Sequence, residues 1–164
     1  MNDYYVYNLI DPRTNTIFYI GKGEGKRMFS HLNEKTDVHS NTEKQLIIKE
    51  ITNEGLEVII ETIAENLSEN AAFLLEKILI YRIGRKIFDE GSLTNIVPGG
   101  EWNKDTPFFI KESDLPCEEV INNSYPELAS VLQKYPKISI EFRGLTCPLN
   151  PLDNKIYVYS DNGN

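Results

Sequence analysis

Two polar side chains near the start of the chain could act together on a phosphate ester, because of their chemical types and their spacing. Arg27 and His31 are four residues apart in a segment predicted to be helical, so they lie on one helix face. A guanidinium can bind two phosphate oxygens at once, and an imidazole can pass a proton near neutral pH. A solvated helix face explains the same pair, so these residues alone do not establish a site.

Glu76 is an acidic residue on the apolar side of a second predicted helix. Its neighbours three and four positions away are all apolar: Ala72, Phe73, Leu79 and Ile80. A carboxylate among apolar side chains costs free energy unless it is paired, hydrogen-bonded or bound to a cation. The structural alternative is a partner such as Arg82 or Lys77, or a position open to water at the edge of the apolar stripe.

Several tyrosines and one asparagine complete the set of candidate polar groups. Tyr5 and Tyr7 share one face of a predicted strand, and Tyr19 lies on the strand that pairs with it. Asn95 stands in a short apolar run before a Pro-Gly-Gly sequence. Each has an ordinary explanation, because tyrosines are common in amphipathic strands and asparagines in turns.

The elements that must position these residues follow from local pattern. Aromatic and β-branched residues predict strands over 4–10 and 17–20, joined in a hairpin by turn residues at 11–15. Glycines at 21, 23 and 25 predict a loop whose backbone can approach another group closely.

Three helices and a third strand complete the first part of the chain. The helices are predicted over 26–33, 40–53 and 69–83, and the strand over 56–63. Ser40 and Glu43 form a capping box, Ser68 caps the third helix, and Gly55 and Gly84 are typical of helix ends. The resulting order is β-β-α-α-β-α, an α+β arrangement.

Residues 105–164 differ in composition from the preceding residues, and we place a domain boundary between 104 and 105. This accessory segment is rich in proline and contains one predicted helix, from 126 to 133 or 134. Alternating residues at 137–143 and 155–160 predict two strands that pair as a hairpin.

Composition narrows the class of protein. The 164 residues, 40% of them hydrophobic, suit one domain with a short accessory segment. Two cysteines are too few for a zinc site or a disulfide framework. No apolar stretch approaches the roughly 20 residues of a membrane helix, and the first residues lack the pattern of a signal peptide. We therefore expect a cytoplasmic protein with no membrane partner.

The charge is acidic overall but reversed in one place. A net charge of −8 argues against a protein that coats nucleic acid, because such binding depends on neutralising phosphates. Residues 12–35, the basic island, carry five basic and two acidic side chains, a net charge of +3; this pattern suits a local phosphate site or has no functional meaning. The accessory segment is acidic, and we expect it to pack on the core, to self-associate or to bind a protein partner.

Taken in chain order, these residues resemble the motifs of the GIY-YIG endonuclease family. Tyr5-Val6-Tyr7 stands where the family has Gly-Ile-Tyr, so the third-position tyrosine is kept, and Tyr19-Ile20-Gly21 matches the second motif. The remaining positions follow in register: Arg27, His31, Glu76 and Asn95. The resemblance covers about residues 4–100. It is strongest to the structure-specific nucleases found beside LEM domains in animals and to their stand-alone bacterial relatives.

This resemblance implies a fold and a reaction. The fold is a small three-stranded antiparallel sheet flanked by helices, over residues 1–104. The reaction is hydrolysis of a DNA phosphodiester bond, including bonds in branched or structured DNA, with one Mg²⁺ or Mn²⁺ ion. Glu76 is implied to be the sole protein ligand of the metal, a hard oxygen donor that suits Mg²⁺. Arg27 would neutralise the non-bridging phosphate oxygens.

The resemblance also implies roles for the other residues. Tyr7 would act as general base or position the attacking water, and Tyr19 would orient water or phosphate. His31 would relay the proton, Asn95 would hold the geometry through hydrogen bonds, and Lys22 would stabilise the phenolate. A phenol needs a neighbouring cation to act as a base at neutral pH. The substrate-binding positions are Gly21, Lys22, Gly23 and Lys26.

Other interpretations stay open. An RNA-cleaving or toxin-like nuclease would use the same residues on another substrate, and a non-catalytic binding or assembly module would keep the fold alone. A helix–sheet protein with an accidental match is the remaining alternative. The presence of all six polar site residues argues against a decayed domain, since such a domain has no physical need for them. His39 lies just before a predicted helix cap, where a solvated loop explains it better than catalysis.

Overall fold

The first two strands form the predicted hairpin, in a computed structural model that describes residues 3–33, 42–100, 103, 105–136, 139–142, 145–150 and 155–156. The side chains of 31–33, 42 and 139–156 lie outside that description. Strand β1 (Tyr4–Asp11) and strand β2 (Thr16–Glu24) are antiparallel, with Tyr7 opposite Gly21. Strand β3 (Ile59–Leu67) pairs antiparallel with the other side of β1, so the sheet order is β2-β1-β3. The three-stranded antiparallel sheet expected from the sequence is therefore confirmed.

The glycine-rich stretch was expected to be a loop, and that prediction was wrong for residues 21–24, which continue β2. The reason is the residues opposite. Gly21 faces Tyr7 and Gly23 faces Tyr5 across the hairpin. A Cβ atom at residue 21 would lie 2.6 Å from the Tyr7 Oη atom, and one at residue 23 would lie 2.7 Å from the Tyr5 ring. The two aromatic rings cover the strand where glycine provides no side chain, which offsets the cost of glycine in a sheet.

Three helices follow the hairpin in the expected order. They are α1 (Arg27–Asn33), α2 (Thr42–Asn53) and α3 (Glu69–Ile83). The Ser68 Oγ atom accepts a hydrogen bond from the Ala71 amide at the start of α3, and Gly84 follows its last residue. The predicted helix over 69–83 is thus confirmed at both ends, while the predicted capping residue Ser40 and the loop residue His39 lie outside the described residues.

Both faces of the sheet are buried, which places the β1 side chains alternately in two apolar clusters. On one face Val6 and Ile20 pack with α3 residues such as Leu75. On the other face Tyr5, Tyr7, Leu9 and Phe18 pack with Ile48 and Ile51 of α2. Because this alternation has a period of two, neighbouring residues of one strand serve opposite sides of the sheet.

The accessory segment packs on the core in its described first part. It contains α4 (Glu118–Ser124), which the sequence did not predict, and α5 (Pro126–Gln133), which it did. Leu128 and Leu132 join the cluster on the α3 face. The Arg82 Nη1 atom donates to the carbonyls of Leu132 and Tyr135, 2.8 and 2.6 Å away. The boundary between 104 and 105 stays a prediction.

Three further strands follow: β4 (Ser139–Phe142), β5 (Leu145–Asn150) and β6 (Lys155–Ile156). β4 pairs with β5, and β5 pairs with β6 through its last two residues. The predicted direct hairpin between 137–143 and 155–160 was wrong, because β5 separates them. Pro148, which lacks an amide proton, makes β5 look unlike a strand in sequence. Within the part of the chain that the structure describes, no helix is long and apolar enough to cross a membrane.

Candidate active site

The outer edge of β2 is where most of the candidate residues meet. In an edge strand, alternate backbone groups have no partner strand and need other hydrogen-bond partners. Asn95 supplies two of them: its Oδ1 atom accepts from the Ile20 amide at 3.1 Å, and its Nδ2 atom donates to the Ile20 carbonyl at 2.8 Å. Asn95 is 4% exposed and Ile20 is fully buried. This buried side-chain amide therefore acts on β2 as a neighbouring strand would.

Two more residues of the same loop bind the edge beside Asn95. The Thr94 amide and hydroxyl both donate to the Phe18 carbonyl, at 2.7 and 2.9 Å. The Ser92 hydroxyl donates to the Ile17 carbonyl at 2.7 Å. Residues 92–95 thus hold β2 along the length that leads to the glycine positions.

Glu76 continues this edge from α3. Its Oε1 atom accepts from the Lys22 amide at 2.9 Å, and its Oε2 atom accepts from the Gly100 amide at 3.0 Å. The expected alternatives, an ion pair with Arg82 or Lys77, were therefore not the explanation; backbone amides of β2 and of the Pro-Gly-Gly turn are. Burial raises the pKa of the Glu76 carboxyl, and the Gly100 and Lys22 amides act in the opposite direction.

The Pro-Gly-Gly turn requires glycine to make this contact. Gly99 and Gly100 have φ angles of 77° and 72°, in the left-handed region that residues with a Cβ atom rarely adopt. A Cβ atom at residue 99 would also lie 2.8 Å from the Ile80 Cδ1 atom and 3.3 Å from the Glu76 Cγ atom. The turn can therefore close over Glu76 only because no side chain intervenes.

Tyr7 and Tyr19 lie on the other face of the sheet, next to Gly21. Tyr7 is fully buried, and its ring centroid is 6.4 Å from that of Tyr19. Burial raises the pKa of the Tyr7 phenol well above its ordinary value of about 10, and the charge of Arg27 acts in the opposite direction. The negative charge of the Glu76 carboxylate also raises the pKa of this phenol. A deprotonated Tyr7 therefore requires a nearby positive charge.

Arg27 is the first residue of α1, and its side chain is exposed. Its charge influences both the Tyr7 phenol of β1 and the Glu76 carboxyl of α3. Lys26 precedes it and is exposed as well. His31 lies one turn further along α1, and its side chain is outside the described residues.

Lys22 occupies a different position from the one expected. Its Nζ atom lies 2.8 Å from a Glu69 carboxylate oxygen, 3.6 Å from the Phe73 ring centroid and 4.3 Å from that of Tyr4. Since residue 21 faces the Tyr7 ring, residue 22 faces α3 on the other side of the sheet. A Lys22 ammonium that stabilises the Tyr7 phenolate does not fit this geometry; its amide serves Glu76 instead.

Fewer residues of the basic island carry exposed positive charge in the structure than the sequence suggests. Arg13 donates to three carboxylates, those of Asp11, Glu50 and Glu54, and Lys22 pairs with Glu69. Two of the five basic residues are thereby neutralised, and Lys35 lies outside the described residues. Among the described members of the island, exposed positive charge is concentrated at residues 26–27, and the charge of Arg27 acts on Tyr7 and Glu76.

Sequence reasoning missed one buried cation at the site. Lys44 of α2 is 4% exposed, and its Nζ atom lies 4.8 Å from the Tyr19 ring centroid. A signal for it was available, because Lys44 shares the buried stripe of α2 with Ile48 and Ile51, at spacings of four and seven residues. A lysine on the core-facing stripe of a helix marks a candidate site residue in the same way as a glutamate at such a position.

The donor set near Glu76 is compatible with one divalent ion. Each Glu76 oxygen accepts one amide and keeps a further lone-pair direction. In the described residues, no three His, Cys, Asp or Glu side chains are grouped to hold a metal ion. A single carboxylate suits Mg²⁺, which keeps several water ligands and binds through one or two carboxylates together with substrate phosphate.

Comparison with known protein families gives a match over more than half of the chain. A family model described as the LEM-3-like GIY-YIG domain matches residues 4–107. Neither the curated proteins nor the solved structures that were searched contain a match to this chain. The matched range covers more than half of the chain and includes every residue of the site described above. The chain therefore belongs to the LEM-3-like GIY-YIG domain family, whose fold and motifs are those of a nuclease.

Proposed function

We propose that this protein is a divalent-metal-dependent endonuclease that hydrolyses DNA phosphodiester bonds, including those of branched or structured DNA. One observation carries the proposal. A carboxylate held by two backbone amides interacts electrostatically with an exposed arginine and with the Tyr7 phenol, at the edge of the strand to which residues 92–95 are hydrogen-bonded. A purely structural edge needs hydrogen-bond donors and acceptors, but it does not need the exposed Arg27.

Phosphodiester hydrolysis requires an oriented water, a group that stabilises charge on the phosphoryl oxygens, and a proton path to the leaving oxygen. Arg27 binds the non-bridging oxygens, because its guanidinium is exposed and its charge acts on both Tyr7 and Glu76. Tyr7 and Tyr19 orient the water, and one of these two tyrosines acts as the general base. His31, on the same helix as Arg27, relays the proton.

Glu76 is the protein group that would hold the metal, Mg²⁺ or Mn²⁺. When bound, such an ion supplies positive charge at the phosphoryl oxygens in a single-metal mechanism. The two amides on Glu76 fix its carboxylate orientation, so the ligand is placed before substrate arrives. Lys26, adjacent to Arg27 and exposed, contacts the next phosphate, while Gly21 and Gly23 leave the backbone of β2 close to the tyrosines.

The test is a cleavage time course at low salt on supercoiled, linear, branched and single-stranded DNA and on a structured RNA. Wild type with Mg²⁺, with Mn²⁺ and with EDTA is compared with Glu76→Gln and with Glu65→Gln, an exposed acid of β3 that serves as the matched control. Metal-dependent cleavage of DNA by wild type and Glu65→Gln alone supports the proposal. Cleavage of RNA only would replace DNA by RNA as the substrate, as in a toxin-like nuclease.

A non-catalytic module is the competing function. It predicts a folded protein that cuts none of the substrates and binds no Mg²⁺ or Mn²⁺ in calorimetry. That combined result would overturn the endonuclease proposal. The cytoplasmic location, and a protein partner or self-association through residues 105–164, stay predictions.

A further inference from the structure

Tyr5 occupies the motif position where the family pattern has glycine, and its ring fits a space that the same hairpin leaves open. Tyr5 is 7% exposed. It lies opposite Gly23, where an added Cβ atom would lie 2.7 Å from the Cε2, Cζ and Oη atoms of Tyr5. The tyrosine at position 5 and the glycine at position 23 are therefore complementary in volume.

The hydroxyl of Tyr5 joins two backbone groups on either side of Arg27. It donates to the Gly25 carbonyl at 3.0 Å and accepts from the Met28 amide at 3.0 Å. The Met28 amide is one of those in the first turn of a helix that have no partner inside the helix. A side chain of β1 thus caps α1 from a distance of more than twenty residues in sequence.

We propose that Tyr5 is a positioning residue for Arg27, a role that rests on the proposed function. The two bonds fix the turn before α1 and its first turn at once, and Arg27 lies between them. With Gly25 and Met28 held, the guanidinium starts from a fixed backbone position relative to Tyr7 and Glu76. The ring sets the distance between β1 and α1, and the hydroxyl sets the direction in which α1 leaves the sheet.

The test removes the hydroxyl and keeps the ring. Tyr5→Phe is compared with Tyr4→Phe, a neighbouring residue of β1 that packs on the opposite face. We expect Tyr5→Phe to lower kcat by about 10- to 100-fold with little change in KM, since loss of alignment acts on the chemical step. Tyr4→Phe is expected to leave kcat within about twofold of wild type. Amide hydrogen exchange at Met28 should accelerate by about 10-fold or more in Tyr5→Phe only, because its acceptor is gone.

A second pair of variants separates positioning from general stability. In an Arg27→Lys background, the loss of kcat caused by Tyr5→Phe should shrink to less than about threefold, because the group that it positions is already changed. An equal loss in both backgrounds, or wild-type kcat in Tyr5→Phe, would overturn the positioning role while the proposed function stands. A folded wild-type protein that cuts no substrate and binds no Mg²⁺ or Mn²⁺ overturns the proposed function itself, and the positioning role of Tyr5 with it.

Discussion

Replacing Asn95 by alanine tests whether β2 is held by the side-chain amide. The change removes both bonds to Ile20 and leaves a buried amide proton and a buried carbonyl without a partner. A lost bond that leaves a buried group unsatisfied costs about 1–3 kcal/mol. Because the two bonds share one side chain, their contributions are not simply additive, and we expect the free energy of unfolding to fall by about 2–4 kcal/mol.

The assay is urea denaturation, with thermal unfolding as a second measurement. The expected loss corresponds to a fall in Tm of roughly 4–16 °C for a chain of this size. Asn122→Ala, an exposed asparagine of α4, is the matched control and should change the free energy of unfolding by less than about 0.5 kcal/mol.

The result that refutes the reasoning is specific. If Asn95→Ala unfolds within about 0.5 kcal/mol of wild type, the edge of β2 does not depend on Asn95. Loss of cleavage at unchanged stability would then assign Asn95 a direct role in the reaction. We expect stability and cleavage to fall together, because the two described hydrogen bonds of Asn95 act on the site through the Ile20 backbone.

Three further predictions concern other contacts of the same framework. Gly21→Ala should lower the free energy of unfolding by about 1–3 kcal/mol in urea, because its Cβ would lie 2.6 Å from the Tyr7 hydroxyl oxygen; wild-type stability would contradict the close packing. Lys44→Met should reduce cleavage by about 10-fold, since it removes a buried charge beside a tyrosine ring but keeps the apolar stem; unchanged cleavage would exclude a role for that charge. Arg13 lowers the pKa of Asp11 below its unfolded value, so this carboxylate contributes stability that is present above about pH 4 and is lost as the pH falls through the lower folded pKa. Asp11→Asn should therefore flatten the acid limb of a pH–stability curve, and an unchanged curve would contradict the linkage.

Local chemistry was enough to predict the elements whose partners are close in sequence. The third helix begins after Ser68 and ends before Gly84, as expected, because its cap and its end signal lie within the helix and its flanks. The hairpin followed from aromatic and β-branched runs around turn residues. The candidate site residues were assigned through their resemblance, in chain order, to the motifs of the GIY-YIG family.

Long-range contacts decided what those signals could not. Residues 21–24 form a strand although their glycines favour a loop, because the Tyr5 and Tyr7 rings lie over them. Lys22 faces α3 and not Tyr7, because side chains alternate along a strand. The sequence did not predict β5, because Pro148 is not typical of a strand interior, although β5 pairs with β4 on one side and with β6 on the other.

Glu76 separates the two kinds of information most clearly. Its position on an apolar helix face was visible in the sequence and predicted that the carboxylate needs a partner. The partners are amides 54 and 24 residues away, on β2 and on the Pro-Gly-Gly turn. Every residue type except proline carries a backbone amide, so a bond to one leaves no trace in side-chain pattern, and only the folded chain shows which amides reach the carboxylate.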